Sequence, residues 1–81
     1  MNDEIRAILD ANGKLAVPAS GLGEFDDLFA AGLDSLAMVN VLMALEEHFN
    51  IEVPDQLLSR RTFSSLHMLT SMVGELTRKA A

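Results

Sequence analysis

The chain has 81 residues, which allows one small domain (residues 1–81) with a core near the lower end of what folds unaided. Nearly half of the residues are apolar, which predicts a folded chain rather than a disordered one. Cysteine is absent and the net charge is −6. Disulfides, thiolate metal sites and cysteine nucleophiles are therefore excluded, and the acidic balance disfavours nucleic acid and anionic membranes and favours basic protein partners.

Met1-Asn2-Asp3-Glu4 lacks the basic stretch and apolar run of a secretory signal. The longest apolar run, Leu36 to Leu45, is interrupted by Asn40 and is too short to span a bilayer. A cytoplasmic protein is expected. Asn2 is suited to cap a first helix with Asp3 and Glu4 in its first turn, Ile5, Ile8 and Leu9 on one face, and Gly13 as its terminator. A long loop follows, to about Ser35. Pro18, Ser20, Gly21 and Gly23 keep it irregular, and Leu15, Val17, Phe25, Leu28, Phe29 and Leu33 are its expected anchors.

The spacing predicts a second helix from about Ser35 to Phe49. At about 100° per residue, Met38, Val41, Leu42, Leu45 and Phe49 form one apolar stripe, a core face. Leu36, Val39 and Met43 form a second stripe on the other side. Two readings of that second stripe stand: Leu36 and Val39 pack under the long loop, or part of the stripe is a docking surface. Asn50 tolerates the left-handed conformation that ends a helix. Ile51 and Val53 alternate with Glu52 over too short a run to require a strand. Pro54 suits the start of a short helix with Leu57 and Leu58 turned inward. Thr62 is expected to cap a last helix whose face is Leu66, Leu69, Val73 and Leu76, with Phe63 as a plug and Arg78 and Lys79 at the C-terminal end. The fold class is all-α: a small four-helix bundle of three main helices and one short one.

Chemistry concentrates at Gly32-Leu33-Asp34-Ser35-Leu36. A serine at a helix start has an exposed hydroxyl beside orphan N–H groups and the positive end of the helix dipole, which together favour an anion. Gly32 is free to take a backbone conformation closed to other residues. The plainer reading is an N-cap, with Asp34 or Ser35 satisfying backbone donors. No Lys or Arg lies between Lys14 and Arg60, while Glu24, Asp26, Asp27, Asp34, Glu46, Glu47, Glu52 and Asp55 do. Such a stretch is either an ordinary solvated surface or a face steered to basic enzymes. Ser35 with His48 or His67 is not a hydrolase, because the serine is outside a Gly-x-Ser-x-Gly elbow and the chain is too short for the sheet that elbow needs. Metal-ligand spacing, EF-hand and phosphate-binding glycine loops are absent.

Asp34-Ser35-Leu36 at a helix start resembles the modification site of acyl carrier and peptidyl carrier proteins. The likeness extends through Asp26-Asp27-Leu28-Phe29, through Gly32-Leu33, and through Leu45-Glu46-Glu47-His48-Phe49-Asn50-Ile51-Glu52-Val53-Pro54. It implies an acyl-carrier-protein-like bundle, a non-catalytic role, and a 4′-phosphopantetheine arm on Ser35 flanked by Asp34 and Leu36. A thioester on the arm would carry an acyl or aminoacyl group. The implied partners are a phosphopantetheinyl transferase, an acyl- or amino acid-loading ligase and a downstream acyl or aminoacyl transferase, meeting Leu36, Val39, Met43, Glu46 and Glu47 on a monomer. Ala37 and Asn40 depart from the fatty-acid type, where those positions are commonly acidic. Ile5-Arg6-x-Ile8-Leu9, Ala31-Gly32-Leu33, Ile51-Glu52-Val53-Pro54-Asp55-x-Leu57-Leu58 and Arg61-x-Phe63-x-Ser65 look like free-standing bacterial aminoacyl carrier proteins, loaded by a truncated homologue of seryl-tRNA synthetase. The alternative from a different class is an unmodified acidic helical module that binds one basic partner through Leu36, Val39 and Met43.

Overall fold

The computed structural model describes residues 2–80, with Lys79 and Ala80 described only as part of the last helix. Three helices form it: α1 (Asn2–Asn12), α2 (Ser35–Phe49) and α3 (Leu66–Ala80). Single 3-10 turns at Ala19–Gly21 and Asp55–Leu57 punctuate the connections. No strand occurs among the described residues, and the all-α expectation holds with the fourth helix reduced to the turn after Pro54. Ile5 and Leu9 of α1, Val41 and Leu45 of α2, and Leu66, Leu69, Met72 and Val73 of α3 meet in one core. Phe63 plugs it and is fully buried, as expected, while Ile51 and Val53 close the end beneath α2. Met38, Leu42 and Phe49 lean on the same core from the edges of the α2 stripe.

The long loop is ordered because its polar backbone has partners on α1. Asp10 Oδ1 accepts the Ala19 N–H at 2.7 Å. The Arg6 guanidinium donates to the carbonyls of Ala19 and Leu22, and its Nε donates to Asn2 Oδ1. Asn2 Oδ1 thus takes a side-chain donor, where a cap on the backbone was expected. α1 stops at Asn12, just before Gly13, and the residue in the left-handed region is Lys14 at φ 51°. Gly13 serves a different need: a Cβ there would meet the Leu9 carbonyl oxygen at 2.8 Å. The Glu4 carboxylate receives the His48 ring at 2.7 Å, joining the start of α1 to the end of α2, and that contact holds the Glu4 carboxyl below its usual range.

Several anchors differ from expectation. Leu28 and Leu33 are buried, and Leu15 and Phe29 are half-buried, but Val17 and Phe25 face solvent. The loop fastens itself by backbone hydrogen bonds, including Leu28 N–H to the Ser64 carbonyl at 2.8 Å, so it needs fewer apolar pins. Leu57 turns inward whereas Leu58 stays exposed. The cap of α3 is Ser65, whose Oγ accepts the Met68 N–H at 3.2 Å. Thr62, the expected cap, lies four residues before the helix begins and instead exchanges a hydrogen bond with Ser59 Oγ. Lys79's side chain lies outside the described residues; Arg78 pairs with Glu75 one turn back.

Leu45 has no exposed surface at the centre of this core. Leu45→Ala is expected to lower stability by about 2–5 kcal/mol, read as a lower denaturant midpoint with an unchanged slope. Half-buried Phe49→Ala should fall by less.

Candidate functional site

Ser35 is the first residue of α2 and is exposed. Asp34 precedes it in an extended conformation (φ −125°, ψ 179°), and Asp34 Oδ1 accepts the Ala37 N–H at 2.8 Å. Asp34 is therefore the cap, and the Ser35 hydroxyl is left free of that duty. The Met38 N–H bonds to the Asp34 carbonyl and starts the helical ladder. Helix geometry leaves the Ser35 and Leu36 N–H groups outside the ladder, so the hydroxyl lies where a negative charge is favoured.

The approach to this helix is fixed by Gly32, whose φ is +121°. A Cβ there would be strained and would stand 3.0 Å from the Ala16 nitrogen. Ala16 N–H donates to the Ala31 carbonyl at 2.8 Å, so the two ends of the loop cross directly beside Gly32. Leu33 N–H to the Leu28 carbonyl, and Gly32 N–H to the Phe29 carbonyl, close the turn that delivers Asp34.

The second apolar stripe of α2 is open to solvent: Leu36 is 70% exposed, Val39 45% and Met43 60%. Packing of Leu36 and Val39 under the loop is thereby overturned; Ala37, at 2% exposure, fills the core side of that first turn. Of the two positions noted as departing from an acidic pattern, only Asn40 is on the exposed side. Glu47 is exposed further along the helix. Glu46 is half-buried, and its Oε2 accepts the Val53 N–H at 2.9 Å, which ties the following segment to α2.

Neither histidine joins the serine. His48 lies thirteen residues on along the same helix, about 20 Å away at 1.5 Å per residue, and pairs with Glu4. His67 stacks on Phe25 with ring centroids 4.7 Å apart. Among the described residues no group of carboxylates and histidines is arranged to hold a metal ion, and no helix is long and apolar enough to cross a membrane. The Ser35 hydroxyl is thus exposed on a dipole-positive helix end, with neither histidine beside it.

Residues 4–78 match the phosphopantetheine attachment site family. The chain belongs to this family. It is a carrier protein of the phosphopantetheine type, and covalent 4′-phosphopantetheine is its cofactor. An aminoacyl carrier protein of Agrobacterium fabrum is 42% identical over 73 residues, covering 90% of this chain and 88% of that one. An acyl carrier protein of Helicobacter pylori is 64% identical over a shorter span of 25 residues, 31% of this chain and 32% of that one. The fold superposes on a carrier protein from Agrobacterium tumefaciens, crystallised with an engineered Bradyrhizobium japonicum glycine:[carrier protein] ligase and AMP. That match has a TM-score of 0.88 and 42% identity, over 91% of this chain and 99% of the other. A solution structure of an Agrobacterium tumefaciens protein gives a TM-score of 0.76 at 40% identity, with both chains covered in full.

Two features of this carrier were not read from its sequence: Ser65 as the α3 cap, and Arg6 with Asp10 as holders of the loop. Serine three residues before a helical N–H was a usable signal for the first. Arg6 and Asp10, four apart on the polar side of α1 and facing a long loop, carried only a weak one. Because Asp34 satisfies the α2 backbone, Asp34→Ala is expected to cost about 0.5–2 kcal/mol. A fall in the thermal midpoint with the three-helix circular dichroism spectrum retained is the outcome to look for.

Proposed function

We propose that Ser35 is the attachment point of the 4′-phosphopantetheine arm. The carrying observation is that its side chain is exposed at the first position of α2 while Asp34 alone performs the capping. In the transfer, the serine oxygen forms a bond to phosphorus, the pyrophosphate bond of coenzyme A breaks, and the nucleotide half leaves. A phosphopantetheinyl transferase supplies the base. The α2 N-terminus favours the resulting phosphodiester, and exposed Leu36 beside it leaves the arm free to swing. The arm's thiol holds the cargo as a thioester. The chain itself does no chemistry, acts as a single domain and a monomer, and works in the cytoplasm.

The cargo on this reading is an amino acid. Support comes from the aminoacyl carrier protein relative, matched over 90% of this chain, and from the carrier bound to a glycine:[carrier protein] ligase. An amino acid:carrier ligase is thus the loading partner, followed by an enzyme that takes the aminoacyl group away. Leu36, Val39 and Met43 form the face these enzymes meet, with exposed Glu47 steering basic surfaces to it. Glu46 contributes less to steering, since one of its oxygens is engaged with Val53.

Incubation with coenzyme A and a broad-specificity transferase should add one phosphopantetheinyl mass to the wild type and none to Ser35→Ala. A modified Ser35→Ala would overturn the assignment. The product should then accept glycine or another small amino acid from an amino acid:carrier ligase in preference to a fatty acid from an acyl ligase; the reverse preference would remove the aminoacyl reading. Val39→Asp should keep the helical spectrum, because Val39 lies outside the core, and should raise the KM for loading. Normal loading by Val39→Asp would take that residue off the docking face.

A further inference from the structure

Phe25 is the most exposed large apolar side chain among the described residues, at 76%. One face of its ring is supported by the His67 imidazole, with a 34° angle between the rings. His67 is held in turn by its backbone N–H, which donates to the Glu24 carbonyl at 2.9 Å. The ring is therefore fixed from beneath and open above. Three exposed carboxylates flank it in sequence, and each is oriented by a neutral donor. Glu24 takes the Asn2 amide, Asp26 the Gly23 N–H and Asp27 the Phe29 N–H. None of the three belongs to an ion pair among the described residues.

The neighbouring phenylalanine is satisfied within the chain. The Arg60 guanidinium lies over the Phe29 ring, 4.1 Å from its centroid, and Phe29 is half-buried. Phe25 has the same negative ring face and more carboxylates around it, with its outer face bare. We infer that Phe25, flanked by Glu24, Asp26 and Asp27, is a second docking surface, for a partner protein that lays an arginine side chain on the ring. A planar guanidinium stacks on the aromatic face and forks to a carboxylate at once, which an ammonium does not. A second copy of this chain is disfavoured as the occupant, because each copy carries a net charge of −6. The surface is built from the loop, with His67 of α3 beneath it and Asn2 of α1 beside it. It leaves the open stripe of α2 uncovered, so one enzyme can hold the carrier by Phe25 while the arm and α2 serve the same or another active site.

The test is a nuclear magnetic resonance titration of the full-length chain, with and without its arm, against a short arginine-containing peptide and its lysine and norleucine counterparts. The arginine peptide should move the Phe25 and His67 signals before those of α2 and should bind at least five-fold tighter than the norleucine peptide. Phe25→Leu should weaken arginine binding at least five-fold at an unchanged melting midpoint, and added salt should bring the wild type toward the variant. Equal binding by Phe25→Leu, or shifts spread evenly to Glu47, would overturn the inference. So would a lowered midpoint in Phe25→Leu, which would make Phe25 a structural residue, or concentration-dependent shifts without peptide, which would assign the face to self-association. None of these outcomes depends on Ser35 or on the cargo.

Discussion

The hydrogen bond from Ala16 N–H to the Ala31 carbonyl is the contact on which the site rests. It pins the two ends of the long loop together beside Gly32, and only a residue without a Cβ allows the crossing at that distance. From there the chain has one way forward: Leu33 drops into the core, Asp34 extends, and Ser35 begins α2. The serine's exposure therefore follows from a backbone crossing some three residues before it.

α2 serves two media at once. Ala37, Val41 and Leu45 face the core with almost no exposed surface, while Leu36, Val39 and Met43 face water. A helix apolar on both sides would ordinarily be buried on both. Here one side has α1 and α3 against it, and the other is left open to solvent by the described residues. The division of labour between Asp34 and Ser35 belongs to the same design. One residue satisfies the backbone, so the adjacent hydroxyl is left exposed and free of capping.

The helices, the α2 boundaries and the core residues Val41, Leu45, Leu66 and Leu69 were legible because helical periodicity reports burial directly. The left-handed Asn50 and Gly32 were legible for a similar reason, since few residue types tolerate that backbone. The exposure of Phe25 and Val17 was not. An aromatic in a loop carries no period, and its burial is decided by backbone hydrogen bonds with partners far away in sequence, such as Leu28 to Ser64. Choosing between Thr62 and Ser65 as the α3 cap likewise required knowing where the preceding turn unwinds. Either Asp34 or Ser35 was recognisable as a cap by residue type, and that Asp34 is the one became visible only in the geometry.

Arg6 shows how misleading a formal charge on a helix surface can be. Its guanidinium reaches two loop carbonyls and an asparagine, and Asp10 holds the same loop from the other side. A compact ammonium has no planar fork with which to span those acceptors. Anyone retuning this protein's surface charge to redirect it among enzymes would have latitude at exposed Arg61 and none at Arg6, although both would count as one positive unit in any tally of the sequence.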